Sequence, residues 1–152
     1  MALEIALFQP DIAGNTGAIL RLSACFDMSV HIIEPAGFDI SDRNLKRAAM
    51  DYFAHVKLTR HINWQDFYQF TQKNNKRLIA FTTKTEKSYT DFCYQQNDIL
   101  LFGRESKGLP KDVHEKANAE LTIPMKKTMR SLNLAMSVAI AVSEAKRQLS
   151  LL

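Results

Sequence analysis

Asn15, Thr16, Gly17 and Arg21 follow directly on a short apolar run, Leu3 to Phe8, at a strand-to-helix turn that could do more than turn. The asparagine oxygen can accept an orphan amide of a helix's first turn, so Asn15 is the expected N-cap. Gly14 and Gly17 allow another group to approach the backbone closely. Arg21, six residues after Asn15, would then stand near a helix start, where the helix dipole disfavours a lone cation. That placement suits an arginine that meets an anion or a reacting oxygen. Taken alone, an ordinary surface arginine behind a well-capped turn explains the segment equally well.

A second candidate follows the apolar run Ile99–Phe102 as Gly103-Arg104-Glu105-Ser106-Lys107-Gly108-Leu109-Pro110. Its two glycines bracket a turn whose backbone could read a nucleoside. It has neither the Gly-Lys-Ser/Thr of a phosphate-binding P-loop nor a Gly-x-Gly-x-x-Gly dinucleotide fingerprint. A third runs from Ile123-Pro124 through Lys126, Lys127 and Arg130 to Ser131-Leu132-Asn133-Leu134. Ser131 is the expected N-cap of a long last helix. The run Leu134 to Val142 is apolar apart from Ser137, so that helix should be covered on more than one side. The sheet and a second copy of the chain would do this. An asparagine at its start, Asn133, needs a partner for its amide.

Elements that could carry these loops alternate along the chain. Strands are predicted at Leu3–Phe8, Val30–Ile33, Val56–Leu58, Arg77–Thr82, Asp98–Phe102 and Glu120–Ile123. Helices are predicted at Asn15–Asp27, Asp42–Phe53, Trp64–Thr71 and from Ser131 onward. The alternation predicts an α/β fold, a mainly parallel sheet with helices on both faces, in a single domain spanning residues 1–152. Ligands of such sheets gather at the carboxyl ends of the strands, where all three loops fall.

Composition narrows the class. An apolar fraction of 46% and a charged fraction of 24% are ordinary for a globular domain. No apolar run reaches the roughly 18 residues of a membrane span, and the N-terminus lacks the basic start of a signal peptide. Two isolated cysteines, Cys25 and Cys93, suit a reducing cytoplasm. No Cys/His spacing suits zinc, so no metal is expected. The net charge of +4 is compatible with nucleic acid without requiring it. Arg43, Lys46 and Arg47 on one helix, and Lys126, Lys127 and Arg130 on one loop, are solvated faces or phosphate contacts.

Asn15-Thr16-Gly17 with Arg21, Phe102-Gly103-x-Glu105-x-x-Gly108-Leu109-Pro110, and Ile123-Pro124 with Arg130-Ser131-Leu132-Asn133-Leu134 together resemble the three motifs of SPOUT-class RNA ribose methyltransferases. They occur in the family's order and span nearly the whole chain. His31-Ile32-Ile33-Glu34-Pro35 and Lys46-Arg47-Ala48-x-x-Asp51-Tyr52 resemble its small stand-alone branch. That branch carries no appended RNA-binding domain and methylates the ribose 2'-oxygen of the wobble nucleotide of certain leucine tRNAs. Arg104 stands where these enzymes often have proline.

The resemblance implies a C-terminal trefoil knot, a homodimer, S-adenosylmethionine as cofactor and S-adenosylhomocysteine as product. By motif, Phe81, Thr82, Gly103, Ile123, Ser131 and Leu132 would line the cofactor pocket. Arg21, Glu105, Ser131 and Asn133 would sit near the reacting centre, the arginine facing the cofactor of the other chain. Asn15, Lys46, Arg47, Lys126, Lys127 and Arg130 would meet RNA, at the anticodon stem-loop of a tRNA whose nucleotide 34 is cytidine or a modified uridine. The four histidines, His31, His55, His61 and His114, lie outside the motifs and are expected at the surface or behind the site. A non-catalytic RNA-binding module on the same scaffold, which would need neither Arg21 nor a cofactor loop, is the main alternative. An ordinary doubly wound nucleotide- or protein-binding domain is the second.

Overall fold

A computed structural model describes residues 2–151. The elements run β1 (Glu4–Phe8), α1 (Ala13–Cys25), β2 (Ser29–Ile33), α2 (Asp42–Ala49), β3 (Lys57–His61), α3 (Trp64–Lys73), β4 (Arg77–Phe81), β5 (Asp98–Phe102), α4 (Lys111–Lys116), β6 (Ala119–Leu121) and α5 (Leu134–Gln148). The six strands form one sheet in the order β3-β2-β1-β5-β4-β6, and every pairing is parallel.

The side-chain alternation of the central strands builds two cores. Ile5, Leu7, Ile79, Leu100 and Phe102 face one layer with Ile19 and Leu20 of α1, Leu45 of α2 and Val138, Ala141 and Val142 of α5. Ala6, Phe8, Leu78, Ala80, Ile99 and Leu101 face the other, with Trp64 and Phe67 of α3 and Val113 of α4. Strands buried on both faces read as continuous apolar runs, which is why β1, β4 and β5 were legible. Fully burying a side chain such as Phe67 contributes about 1.5–3 kcal/mol.

This topology places the site. The chain leaves β1 toward α1 on one face of the sheet and leaves β5 toward α4 on the other, although β1 and β5 are neighbours. The two exits diverge, and a crevice opens at the carboxyl ends of the strands, as expected where strand order reverses.

Several predicted boundaries shift for local reasons. α1 starts at Ala13, so Asn15 is inside the first turn and the N-cap is Ile12, which has no side-chain cap. Arg21 therefore lies beyond the middle of α1, and the dipole argument for it loses its force. α5 starts at Leu134 with Asn133 as its cap, accepting from the Met136 amide, so Ser131 is in the loop. The helix from Asp42 stops at Ala49; Met50 has φ 58° and a 3-10 turn covers Met50–His55. β3 runs Lys57–His61, past the apolar Val56–Leu58, because an edge strand carries exposed polar residues. α5 is buried along Val138, Ala141, Val142 and Ala145, while Met136 is 63% exposed, so this chain covers one side of it.

Candidate functional site

The crevice holds a cavity of about 440 Å³, within the usual range for small-molecule sites of about 300–1,000 Å³. Its apolar walls include Phe81, Phe102, Leu109, Ile123 and Leu132, and the polar groups Asn15, Thr82, Glu105, Ser131 and Asn133 line it too. Phe81 and Phe102, from neighbouring strands, stack with ring centroids 4.9 Å apart. The turn after β5 is folded tightly on itself. Arg104 and Gly108 exchange backbone hydrogen bonds of 3.2 and 2.8 Å, and Gly108 takes φ +66°. A Cβ on Gly103 would lie 2.4 Å from the Gly108 carbonyl carbon, so only glycine fits there.

Glu105 ties this turn to the first loop. Its carboxylate accepts from the amide of Asp11 at 3.0 Å, the amide of Ile12 at 3.1 Å and the Asn15 side chain at 3.2 Å. The N-terminus of α1, which lacks a cap of its own, is thus capped from a distant loop, where a carboxylate also complements the helix dipole. Asn15 then accepts from Asn133 at 3.0 Å, and Asn133 caps α5. A continuous chain, Glu105–Asn15–Asn133–α5, therefore joins all three loops. Asp11 accepts from the Ser106 hydroxyl.

All six cofactor-pocket residues, Phe81, Thr82, Gly103, Ile123, Ser131 and Leu132, line this one cavity, together with Asn15, Glu105 and Asn133. Arg21 does not line it, and neither do Lys46, Arg47, Lys126, Lys127 or Arg130, whose side chains are exposed. Asn15, grouped with the RNA contacts on sequence, has its side chain engaged between Glu105 and Asn133. Sequence reasoning missed Lys84, Arg104 and Lys107, three cations on the lining. It also missed His114, which lines the cavity and contacts Glu120. The one available signal was its place in the helix that Pro110 starts.

The histidine expectation needs correction at two more positions. His31 and His61 are 2% and 4% exposed, because both sit on strands facing Phe67 and Phe70. His31 bridges Glu4 and His61 at 2.9 Å each, Lys76 pairs with Glu4 at 2.7 Å, and Asp66 lies 3.5 Å from His61. Burial first, then the charge of His31, holds His61 below its usual range against the pull of Asp66. Burial alone would raise Glu4, but His31 and Lys76 together outweigh it and hold that carboxyl low. Among the described residues, no group of three His, Cys, Asp or Glu side chains is placed to hold a metal. Among them, too, no helix is long and apolar enough to cross a membrane.

The SpoU rRNA Methylase family matches residues 2–143. A tRNA (cytidine(34)-2'-O)-methyltransferase of Beijerinckia indica is 47% identical over 148 residues, 97% of this chain and 92% of that protein. A protein of the same name from Escherichia coli K12 is 42% identical over 97% of this chain and 94% of its own length. A solved structure described as "Structural insights into the 2-OH methylation of C/U34 on tRNA" superposes with a TM-score of 0.91 at 40% identity, covering 98% of this chain and 97% of the other. An AdoMet-bound rRNA methyltransferase of Sinorhizobium meliloti superposes with a TM-score of 0.88 at 25% identity; 97% of this chain is covered and 57% of that one.

Proposed function

The chain belongs to the SpoU rRNA methylase family, and on that premise we propose that it methylates the ribose 2'-oxygen of tRNA nucleotide 34. Cytidine or a modified uridine is the target, in leucine tRNAs, with S-adenosylmethionine as cofactor. The observation that carries the reading is the joining of all three motif loops around one cavity through Glu105, Asn15 and Asn133.

The cavity fits the cofactor. Its paired Phe81 and Phe102 rings and the close backbone approach at Gly103 suit an adenosine, and its polar rim at Ser131 and Asn133 suits the charged end of an amino acid. Bound there by Phe81, Thr82, Gly103, Ile123, Ser131 and Leu132, the cofactor supplies an electrophilic methyl group on a sulfonium. The protein's part is alignment, which can lower such a barrier by about 7–11 kcal/mol. Glu105 and Asn15 hold the loops in register, and the apolar walls exclude water. A guanidinium offers donors and no acceptor, so Arg21 acts as a cation rather than a base. It binds the phosphate beside the target and stabilises the 2'-oxygen as its proton leaves to phosphate or water. Lys46, Arg47, Lys126, Lys127 and Arg130 bind the flanking backbone of the anticodon stem-loop.

We further propose that the enzyme works in the cytoplasm, as a single domain and a homodimer, with Arg21 serving the partner's cavity. Two observations support the dimer: Arg21 is absent from its own chain's cavity, and Ile12, Met129, Leu132 and Met136 are 48%, 59%, 38% and 63% exposed. A trefoil knot belongs to the same proposal. Both ends of the 122–134 segment, Thr122 and Ile123 before the basic loop and Ser131 to Leu134 after it, line the cavity before α5 packs on α1 and β5.

The test is incubation with bulk tRNA and labelled S-adenosylmethionine, followed by mapping of the methylated nucleotide. Label on the ribose of nucleotide 34, lost in Arg21→Ala with calorimetric cofactor affinity retained, is the expected result. Label elsewhere, or none together with no cofactor binding, overturns it.

A further inference from the structure

We propose that Tyr52 is a positioning residue for Arg21, and that the contact between Gly17 and Ala48 sets the distance at which the two meet. The inference rests on the role given to Arg21 above and adds what holds that side chain. The Arg21 guanidinium sits over the Tyr52 ring, 4.5 Å from its centroid. The described ion pairs of the fold join other residues and leave this arginine without a carboxylate. A carboxylate partner would neutralise the cation before RNA arrived. An aromatic face restrains it while leaving its charge and its N–H groups for an anion. Asp51, the residue beside Tyr52, is exposed and is not paired with Arg21.

The backbone explains why these two side chains coincide. α1 packs against α2 and against the 3-10 turn that follows α2. At Gly17 the approach is so close that a Cβ would lie 2.7 Å from both the Cβ and the carbonyl oxygen of Ala48. Arg21 is four residues beyond Gly17, one turn along the same face of α1. Tyr52 is four residues beyond Ala48, carried on the turn that Met50, at φ 58°, swings out of the α2 path. One tight contact therefore fixes the spacing of the arginine and its ring a turn away. Two sequence features that sit 31 residues apart, Gly17-x-x-x-Arg21 and Ala48-x-x-x-Tyr52, form a single device.

The experiment compares Tyr52→Phe, Tyr52→Leu and Arg21→Ala. It reads kcat and KM for tRNA, calorimetric affinity for S-adenosylmethionine and the thermal midpoint. Leucine keeps apolar bulk at this half-buried position, so the fold is retained, and the midpoint verifies it. Tyr52→Phe keeps the ring and should stay within about twofold of wild type. Tyr52→Leu should lower kcat about 3- to 30-fold with cofactor affinity unchanged. An inactive Arg21→Ala beside a fully active Tyr52→Leu overturns the role of Tyr52 and leaves that of Arg21 standing. A fully active Arg21→Ala removes the premise itself.

Discussion

Replacing Glu105 separates a residue that positions loops from one that moves protons. Its carboxylate takes three donors, at 3.0, 3.1 and 3.2 Å, from Asp11, Ile12 and Asn15. A hydrogen bond to a charged group contributes about 1.5–3 kcal/mol. The Ile12 amide is exposed and can turn to water, so its loss costs little. The other two are partly buried, and counting each at the low end gives about 3 kcal/mol for Glu105→Ala. For a chain of this length that corresponds to a fall in thermal midpoint of about 6–12 °C. Cofactor affinity should fall with it, because the turn that Glu105 anchors is a wall of the cavity. Glu105→Gln keeps an oxygen for Ile12 and Asn15 and presents an amide N–H to the Asp11 amide, so it should lose about 1 kcal/mol. Differential scanning calorimetry and cofactor titration give both numbers. A general acid or base would behave oppositely: Glu105→Gln would be inactive, with midpoint and affinity intact. That outcome, or a Glu105→Ala midpoint within about 2 °C of wild type, refutes the positioning argument.

Two further predictions concern charge. His61 is held below its ordinary value of 6.5 in the fold, so the unfolded chain takes up its proton first. Stability should be full above that pH and fall as pH drops through it, with a second loss below 4.5, where Glu4 protonates more readily in the unfolded chain. A thermal midpoint that stays flat from about pH 7.5 to about pH 5, or no flattening of the slope in His61→Gln, would contradict this. If Lys126 and Lys127 meet tRNA phosphates, replacing both with alanine should reduce the slope of log affinity against log salt by about 1.4–1.8, with cofactor affinity unmoved. An unchanged slope removes them from the interface.

What the sequence disclosed followed burial. β5 was read with its true ends because it is apolar on both faces and bounded by Asn97 and Gly103. Helix starts were misread where a good capping residue is used for something else. Asn15 has the chemistry of an N-cap, yet its amide is spent across the loops, and its helix is capped by a glutamate whose motif lies far along the chain. Nothing local distinguishes these two uses. His31 and His61 failed as surface residues for a related reason: each sits in a short strand, and the carboxylates that pair with them, Glu4 with His31 and Asp66 with His61, come from other elements. The cavity lining was legible as motif membership, while the cations Lys84, Arg104 and Lys107 on it were not, because charged loop residues look alike until the loops are brought together.

The position of Arg21 relative to Asn15 bears on how many chains make one active site. Both belong to α1, a rigid helix, six residues apart. That separation is about 9 Å along the axis and about 240° around it. Asn15 points into the cavity of its own chain, bonded to Glu105 and Asn133, so Arg21 must leave the helix on another side, where it meets Tyr52. If Arg21 is needed for turnover, the cavity it serves therefore belongs to a second copy. Mixing Arg21→Ala with Asn133→Ala chains tests this directly. Each homodimer should be inactive. A mixed dimer would contain one cavity with an intact Asn133 that receives an intact arginine, so random exchange should restore about one quarter of wild-type activity. Were Arg21 to serve its own chain, every cavity in the mixture would lack one of the two residues, and no activity would return.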